Sequence, residues 1–418
     1  MAATSIAPAA RLSTDLSDSV GGGLSDGLNG GGRAIDREAR LIFALAGDLT
    51  DPAIARDFQG CDWPRLMQAA AQENAIIALH GVIKQARPAE LPVTIERQIA
   101  CLALRAEFRM RQLARRLDEA VSALTTAGMQ VTLLKGAALA HTVYGSFAAR
   151  PMNDLDLLID ERDALAAREI IRGLGWTRDP SVPGDEAYAT HHHLPPLLDA
   201  SGSGLRLEIH TALLPPDNPF AVSRAELARD ARAVSVGSSR AGVLSTVHHA
   251  VYATVHFAWS HELHLGAWHV FRDLGALARR GLLDWSAFVE TAISWRAGSC
   301  AYWTLRLGRV LAGLPVPDEV LRALEPSLPG IILSRLERHF IQGVLQTGTC
   351  PSVRLNRELW TVAMQPQRSG HGASRPWLAS TALIEERRRL GPVHPPRRGP
   401  LARLGQVIRW SRYLARIV

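Results

Sequence analysis

The sequence predicts an α+β protein in which one small mixed sheet with its helices is embedded between two helical regions. Three observations lead there. Apolar residues recur at helical spacing from Ile35 to Gly128, short β-branched or alternating segments crowd between residues 129 and 215, and helical spacing returns after Pro219. The chain has 418 residues, 47% hydrophobic and 21% charged, with a mean hydropathy near zero. At roughly 150 residues per domain this is globular composition with room for two or three domains, and it excludes disordered or fibrous classes.

Residues 1–35, with Gly21-Gly22-Gly23 and Gly30-Gly31-Gly32, are too poor in apolar side chains to offset chain entropy and are expected to be a disordered leader. Residues 36–128 form the N-terminal helical region. Leu41, Ile42 and Leu45 mark one helix, Trp63, Leu66, Met67 and Ala70 the next, and Leu102, Leu113, Leu117, Val121 and Leu124 a long third from Thr94. Gly128 is placed as its left-handed cap.

Residues 129–215 change character. Gln130–Leu134 suits a buried strand, Lys135-Gly136 ends it before an Ala-rich helix to about Tyr144, and Leu155–Ile159 reads as a second strand before a helix from Glu161 to Gly173. Tyr188–Leu198 and Leu205–Leu213 read as a strand pair joined by the turn-rich stretch Asp199–Gly204. Residues 216–385 read as helix throughout, broken near Pro315–Pro317 and Pro326–Pro329, and residues 386–418 as a basic amphipathic tail.

No span is apolar enough to cross a membrane; Gly242–Ser260 carries His248, His249 and His256 and reads as a buried helix. Four cysteines without a C-x-x-C pair argue against a zinc site or a disulfide framework. Together with a first segment lacking the pattern of a secretory signal, this makes the cytoplasm the expected location. The formal charge is +7, and only Lys84 and Lys135 among the 47 basic residues are lysines. Nine arginines lie between Arg387 and Arg416 with no acid after Glu386, so the excess charge sits in the tail.

The chemistry concentrates in Leu133–Ala138 and Arg150–Ile159. On a strand, Asp154 and Asp156 share one face while Leu155 and Leu157 take the other. Two adjacent carboxylates at the entry of a buried strand need a compensating cation, and Mg²⁺ is the natural one because it takes one or two carboxylates plus substrate phosphates. A third acid, Glu208 in Leu205–His210, alternates on another strand that can approach the same face. Lys135 and Gly136 occupy a strand-to-helix turn, where free N–H groups favour an anion. A compact ammonium stands out in an arginine-rich chain. Arg150 fits a phosphate contact or a pairing with Asp154. Without this context, Asp-x-Asp is a common polar pattern of an amphipathic strand.

Leu-Leu-Lys-Gly-Ala-Ala from Leu133, Tyr144, Arg150, Asp154-Leu-Asp156, His191-His-His-Leu-Pro-Pro-Leu-Leu198 and Leu207-Glu-Ile-His210 together resemble the bacterial uncharacterised nucleotidyltransferase family of the DNA polymerase β-like superfamily. The resemblance is specific over about residues 130–215. It is looser at Trp63–Met67 and in the His-rich helices of residues 247–277. It implies a minimal nucleotidyltransferase fold, with Asp154, Asp156 and Glu208 as catalytic Mg²⁺ or Mn²⁺ ligands and a nucleoside triphosphate as substrate. The triphosphate would contact Lys135, Gly136, Arg150 and His210. The acceptor is left open among a peptide, a saccharide and a protein. One departure is plain: the superfamily usually carries Gly-Ser after its first strand, where this chain has Lys135-Gly136.

Other residues carry weaker signals. For His191, His192 and His193, metal binding, base stacking and packing all fit, while His210 shares a face with Glu208 and suits orienting it or touching nucleotide. Most histidines between His248 and His269 read as buried packing residues, and Arg272-Asp273 as an ion pair or part of the acceptor side. The tail, with Leu404, Ile408, Tyr413 and Leu414 against Arg403, Arg409, Arg412 and Arg416, suits an anionic surface, nucleic acid, a partner groove or its own domain. The leading expectation is a metal-dependent nucleotidyltransferase. A non-catalytic nucleotide-binding or regulatory module of the same fold and an adaptor acting through the tail are the alternatives.

Overall fold

The long apolar stripe between Val93 and Thr126 explains the backbone of the fold. The computed structural model describes residues 32–47, 58–216, 218–346 and 352–364, with Trp410 and Tyr413. The leader lies outside these residues up to position 31, and so does the tail apart from Trp410 and Tyr413. Helices α1 (Gly32–Ala44), α2 (Trp63–Gln72), α3 (Ile76–Ala86) and α4 (Val93–Thr126) come first. Asp62 caps α2 by accepting from the Arg65 N–H, and Pro64 occupies its first turn. On α4, Leu113, Leu117, Val121 and Leu124 are buried, whereas Leu102 lies exposed on the N-terminal half. Gly128, at φ +79°, adopts the left-handed conformation expected after the helix end.

Among the described residues the sheet has seven strands, in the order β3-β4-β5-β2-β1-β7-β6. They are β1 (Thr132–Leu133), β2 (Asp154–Leu158), β3 (Trp176–Arg178), β4 (Leu197–Asp199), β5 (Arg206–His210), β6 (Arg232–Val236) and β7 (Ser239–Val243). It is mixed: β2 runs parallel to β5 and antiparallel to β1, and β1 runs parallel to β7. Strand β3 was not expected, and two further features depart from the sequence expectation. The stretch from Tyr188 is not a strand before Leu197; it leaves a short 3₁₀ turn and stays irregular through Pro195-Pro196, which have no N–H to donate to a ladder. Nor is the chain helical throughout after Pro219, because the hairpin β6–β7 turns at Gly237 (φ +55°) and adds two strands beside β1. Strands this short, in polar sequence, give little periodic signal.

Leu155, Leu157, Leu207 and Ile209 point from the sheet into a core shared with α4 and with α6 (Ala164–Gly173). The opposite face meets a second core. There Leu134, Leu158, Leu213 and Leu244 join α8 (Thr246–Val255), α9 (Ala267–Arg279), α10 (Trp285–Ser294) and α11 (Gly298–Ala312). Short α5 (Lys135–Leu139) continues as a π-helical turn, Ala140–Tyr144, and α7 (Arg224–Arg229) precedes the hairpin. Helices α12 (Asp318–Leu324), α13 (Gly330–Val344) and α14 (Val353–Ala363) complete the second core. Trp410 donates to Glu358 and the Tyr413 hydroxyl bonds His339, so these two tail residues lie on α14 and α13. No helix among the described residues is long and apolar enough to cross a membrane.

Arg150 ties the two cores together. Its Nε and Nη2 donate to the two carboxylate oxygens of Asp273 on α9 at 2.7 and 2.8 Å, its Nη1 donates to the Pro151 carbonyl, and the Tyr144 hydroxyl donates to Asp273. Of the two roles that the sequence leaves equally open, a phosphate contact and a pairing with Asp154, the pairing is corrected: the carboxylate that Arg150 holds is Asp273. A buried guanidinium satisfied bidentately by one carboxylate has no free fork for a phosphate. Replacing Asp273 by alanine leaves Arg150 buried without its counter-charge and is expected to cost about 3–5 kcal/mol in urea unfolding; a loss below about 1 kcal/mol would show that the pair does not hold the cores together.

Glu73, just past α2, lines a cavity of about 260 Å³ between α1, α2 and the end of α13. Burial pushes its carboxyl up to about 7, against the opposing hydrogen bond from the Trp268 backbone. The folded state therefore holds this charge at a cost that is absent below pH ~4.5, grows as pH rises and is complete above about 7. Glu73→Gln should raise the melting temperature at pH 8 by a few degrees, the scale of roughly 1–2 kcal/mol, with the gain gone near pH 4.5. An equal gain at both pH values would refute the titration as its cause.

Candidate functional site

The parallel register of β2 and β5 builds the site. Asp154 lies opposite Arg206, Asp156 opposite Glu208 and Leu158 opposite His210. Because side chains alternate, Asp154, Asp156, Glu208 and His210 all rise from the face opposite the leucine core. β1 adds the cation. The Leu134 N–H donates to the Asp156 carbonyl, which carries the pairing one residue past β1 and delivers Lys135 beside Asp156. Lys135 has φ +46°, a left-handed conformation that costs a side-chain-bearing residue roughly 1–2 kcal/mol. Such strain is characteristic of functional positions.

Two donors converge on one oxygen. Lys135 Nζ is 3.0 Å and His210 Nε2 2.8 Å from Asp156 Oδ1, and His210 Nε2 also lies 3.5 Å from Glu208 Oε2. Burial alone would raise the Asp156 carboxyl, but Lys135 and His210 outweigh it and hold the group well below its ordinary range. Burial likewise opposes the charge on Lys135, yet Asp156, with Tyr252, Asp154 and Glu208, keeps the ammonium more firmly protonated than usual. His210 is raised because its hydrogen bonds to Asp156 and Glu208 overcome burial, and Glu208 is lowered because the His210 bond overcomes burial. Asp154 fares differently: burial and then the charge of Asp156 push it up to about 6, and Lys135 offsets them only in part. It is the least compensated acid of the group.

Asp156, Glu208 and His210 each offer a ligand atom, and these atoms lie within 4.8 Å of one another, so the trio is able to hold a metal ion. Asp154, expected as a ligand, stands outside that trio but on the same face. A carboxylate oxygen only accepts, so the 2.8 Å contact places the His210 proton on Nε2. Using Nε2 as a ligand would move the proton to Nδ1, which is buried and has no hydrogen-bond partner among the described residues. Metal-bound imidazoles almost always give that second N–H to an acceptor. The hard donors of the site are therefore its carboxylates.

The remaining expected residues are placed as follows. Gly136 is buried, and a Cβ there would come within 3.2 Å of Met152 and 3.3 Å of the Arg150 guanidinium, so its bareness makes room for packing between α5 and the segment before β2. His192 and His193 do not alternate as on a strand. The His193 backbone bridges to His210, and both rings stand 5.2–5.3 Å from the His210 ring, with His191 edge-on to His193 and Tyr188 tilted against His191. Burial, then His210 and His193, pushes His192 down to about 2, which makes it a neutral neighbour of the acids.

Helix α8 forms the facing wall. Tyr252 lies on it, His256 opens its π-helical extension, His256–Ser260, and His261 follows that turn; the Tyr252–His256 rings are 6.0 Å apart and the His256–His261 rings 4.5 Å. Burial, followed by Lys135, holds both imidazoles neutral, His261 down to about 4. The sequence did not single out Tyr252, since a tyrosine in an apolar helix reads as core; only its place across from the acids marks it.

The model of the uncharacterised nucleotidyltransferase family matches residues 59–313, which span α2 through α11 and the whole sheet. No curated protein and no solved structure matches the chain. With three acids on one sheet face beside Lys135, and with a family match over more than half its length, this chain belongs to the uncharacterised nucleotidyltransferase family.

Proposed function

We propose that the chain is a metal-dependent nucleotidyltransferase that transfers a nucleoside monophosphate from a triphosphate to an acceptor. The observation that carries this reading is the register of β2 and β5, which sets Asp156 beside Glu208 with Asp154 on the same face and the Lys135 ammonium against them. An oxygen of the acceptor attacks the α-phosphorus, a new P–O bond forms, the bond to the β-phosphate breaks and pyrophosphate leaves. Asp154, Asp156 and Glu208 would hold Mg²⁺ or Mn²⁺. That ion, when bound, supplies positive charge to the oxygens of the reacting phosphate.

The chain's own groups divide the work. Lys135 is the ammonium available to the phosphate tail, fixed by its bond to Asp156. His210 orients Asp156 by donating Nε2–H to it, so its contribution reaches the nucleotide through that carboxylate. Asp156 has a side chain 3% exposed and Glu208 one 19% exposed, which makes Glu208 the more accessible of the two and the better placed to meet the acceptor. The neutral His192, His193, His256 and His261 line the surroundings without adding charge.

The occupation of Asp156 Oδ1 by both Lys135 and His210 favours a second reading, a nucleotide-binding module without transfer. Pyrophosphate release separates the two. Purified protein with Mg²⁺, each of the four ribonucleoside triphosphates and a cell extract is expected to release pyrophosphate and label one acceptor identifiable by mass spectrometry. Asp156→Asn and Glu208→Gln should each lower that turnover by about 10²–10⁴-fold, the several kcal/mol that metal-held charge supplies, with circular dichroism unchanged. Undiminished release in both variants would reject the carboxylate assignment, and triphosphate binding without release by the wild type would favour the second reading.

A further inference from the structure

Tyr252 occupies the middle of α8, where the neighbouring Ala250, Val251 and Val255 are fully buried. The residue itself is 1% exposed. Its hydroxyl is buried and has no hydrogen-bond partner among the described residues. The contrast with Thr254 on the same helix is direct: that hydroxyl satisfies itself on the Val251 carbonyl at 2.8 Å. A buried hydroxyl without a partner costs about 1–3 kcal/mol, and phenylalanine would fill the same volume without that cost.

The surroundings indicate where the missing partner comes from. The phenol lies within electrostatic reach of Lys135, Asp156, Glu208 and Asp154. The ring packs in the same core as Leu134, the residue before Lys135, and Leu158, which ends the strand carrying Asp154 and Asp156. Lys135 carries only donors and directs one at Asp156, so it offers the phenol nothing to donate to. We propose, resting on the nucleotidyltransferase reading, that the Tyr252 hydroxyl is a substrate contact of this site, donating a hydrogen bond to a triphosphate oxygen that Lys135 also faces. Phosphate oxygens accept only, which matches a wall of one ammonium and one phenol. Burial pushes the phenol up to about 12, so the proton it donates is present throughout the neutral range.

Tyr252→Phe in the full chain tests this, because it removes one oxygen and keeps the ring. Melting curves without nucleotide, and calorimetry with Mg²⁺ and each ribonucleoside triphosphate, are compared with the wild type. The variant is expected to melt at or above the wild-type temperature without nucleotide and to bind the triphosphate about tenfold or more weakly, as for a lost hydrogen bond to a charged group. Equal affinity in both proteins overturns the contact and leaves the nucleotidyltransferase reading standing. A melting temperature several degrees lower without nucleotide also overturns it, since the hydroxyl would then serve the fold. If the wild type binds none of the four triphosphates, that reading falls and this one falls with it.

Discussion

A carboxylate buried beneath a sheet remains charged only in the company of something positive, and Asp156 has two such companions on one oxygen. Lys135 approaches from the end of β1 and His210 from the end of β5. The Asp156 side chain is thereby fixed from both neighbouring strands, and the positions of Asp154 and Glu208 follow from the pleat and the register. The charges are unequal in their comfort. Asp156 is held ionised, while Asp154 is raised by its own burial and by Asp156. A site with one settled carboxylate and one strained by its neighbour is prepared to accept additional positive charge.

The two cores explain how such a cluster is tolerated. One face of the sheet is sealed by α4 and α6 over leucines and Ile209, which fixes the strands. The other meets the helices from α8 onward, and the polar cluster lies along that second junction. Arg150 and Asp273 form a separate buried pair at the same junction, with Tyr144 completing the carboxylate's hydrogen bonds. Charge is thus distributed between two sets of partners: one locks the helical region to the segment before β2, and the other gathers around Asp156.

Much of this was legible in the sequence where periodicity is strong. The alternation of Asp154-Leu-Asp156 and Leu207-Glu-Ile-His210 gave the face of each acid, and the stripe from Leu113 to Leu124 gave the helix behind them. What failed has physical reasons. For Arg150 the sequence leaves a phosphate contact and a pairing with Asp154 equally open, whereas its partner Asp273 is more than a hundred positions away, and no local pattern reports such pairing. The hairpin 232–243 is short, half exposed and rich in arginine and serine, so its period-2 signal is faint. His192 and His193 lie in sequence that reads as a strand, but Pro195 and Pro196 have no N–H to donate to a ladder. Tyr252 carries no signal at all, because what marks it is the absence of a partner in three dimensions.

The placement of β7 bears on how this protein can be divided. β1 is only two residues long and lies between β2 and β7, so half of its lateral support is supplied by a segment encoded more than thirty residues beyond the last acid. A fragment ending at residue 215 would contain every acid yet turn β1 into an unsupported edge and loosen the residue immediately after it, which carries the ammonium. Expression of the sheet unit alone must therefore run through Val243, and shuffling or fusion points inside 216–243 would disturb the cation while leaving all three acids intact.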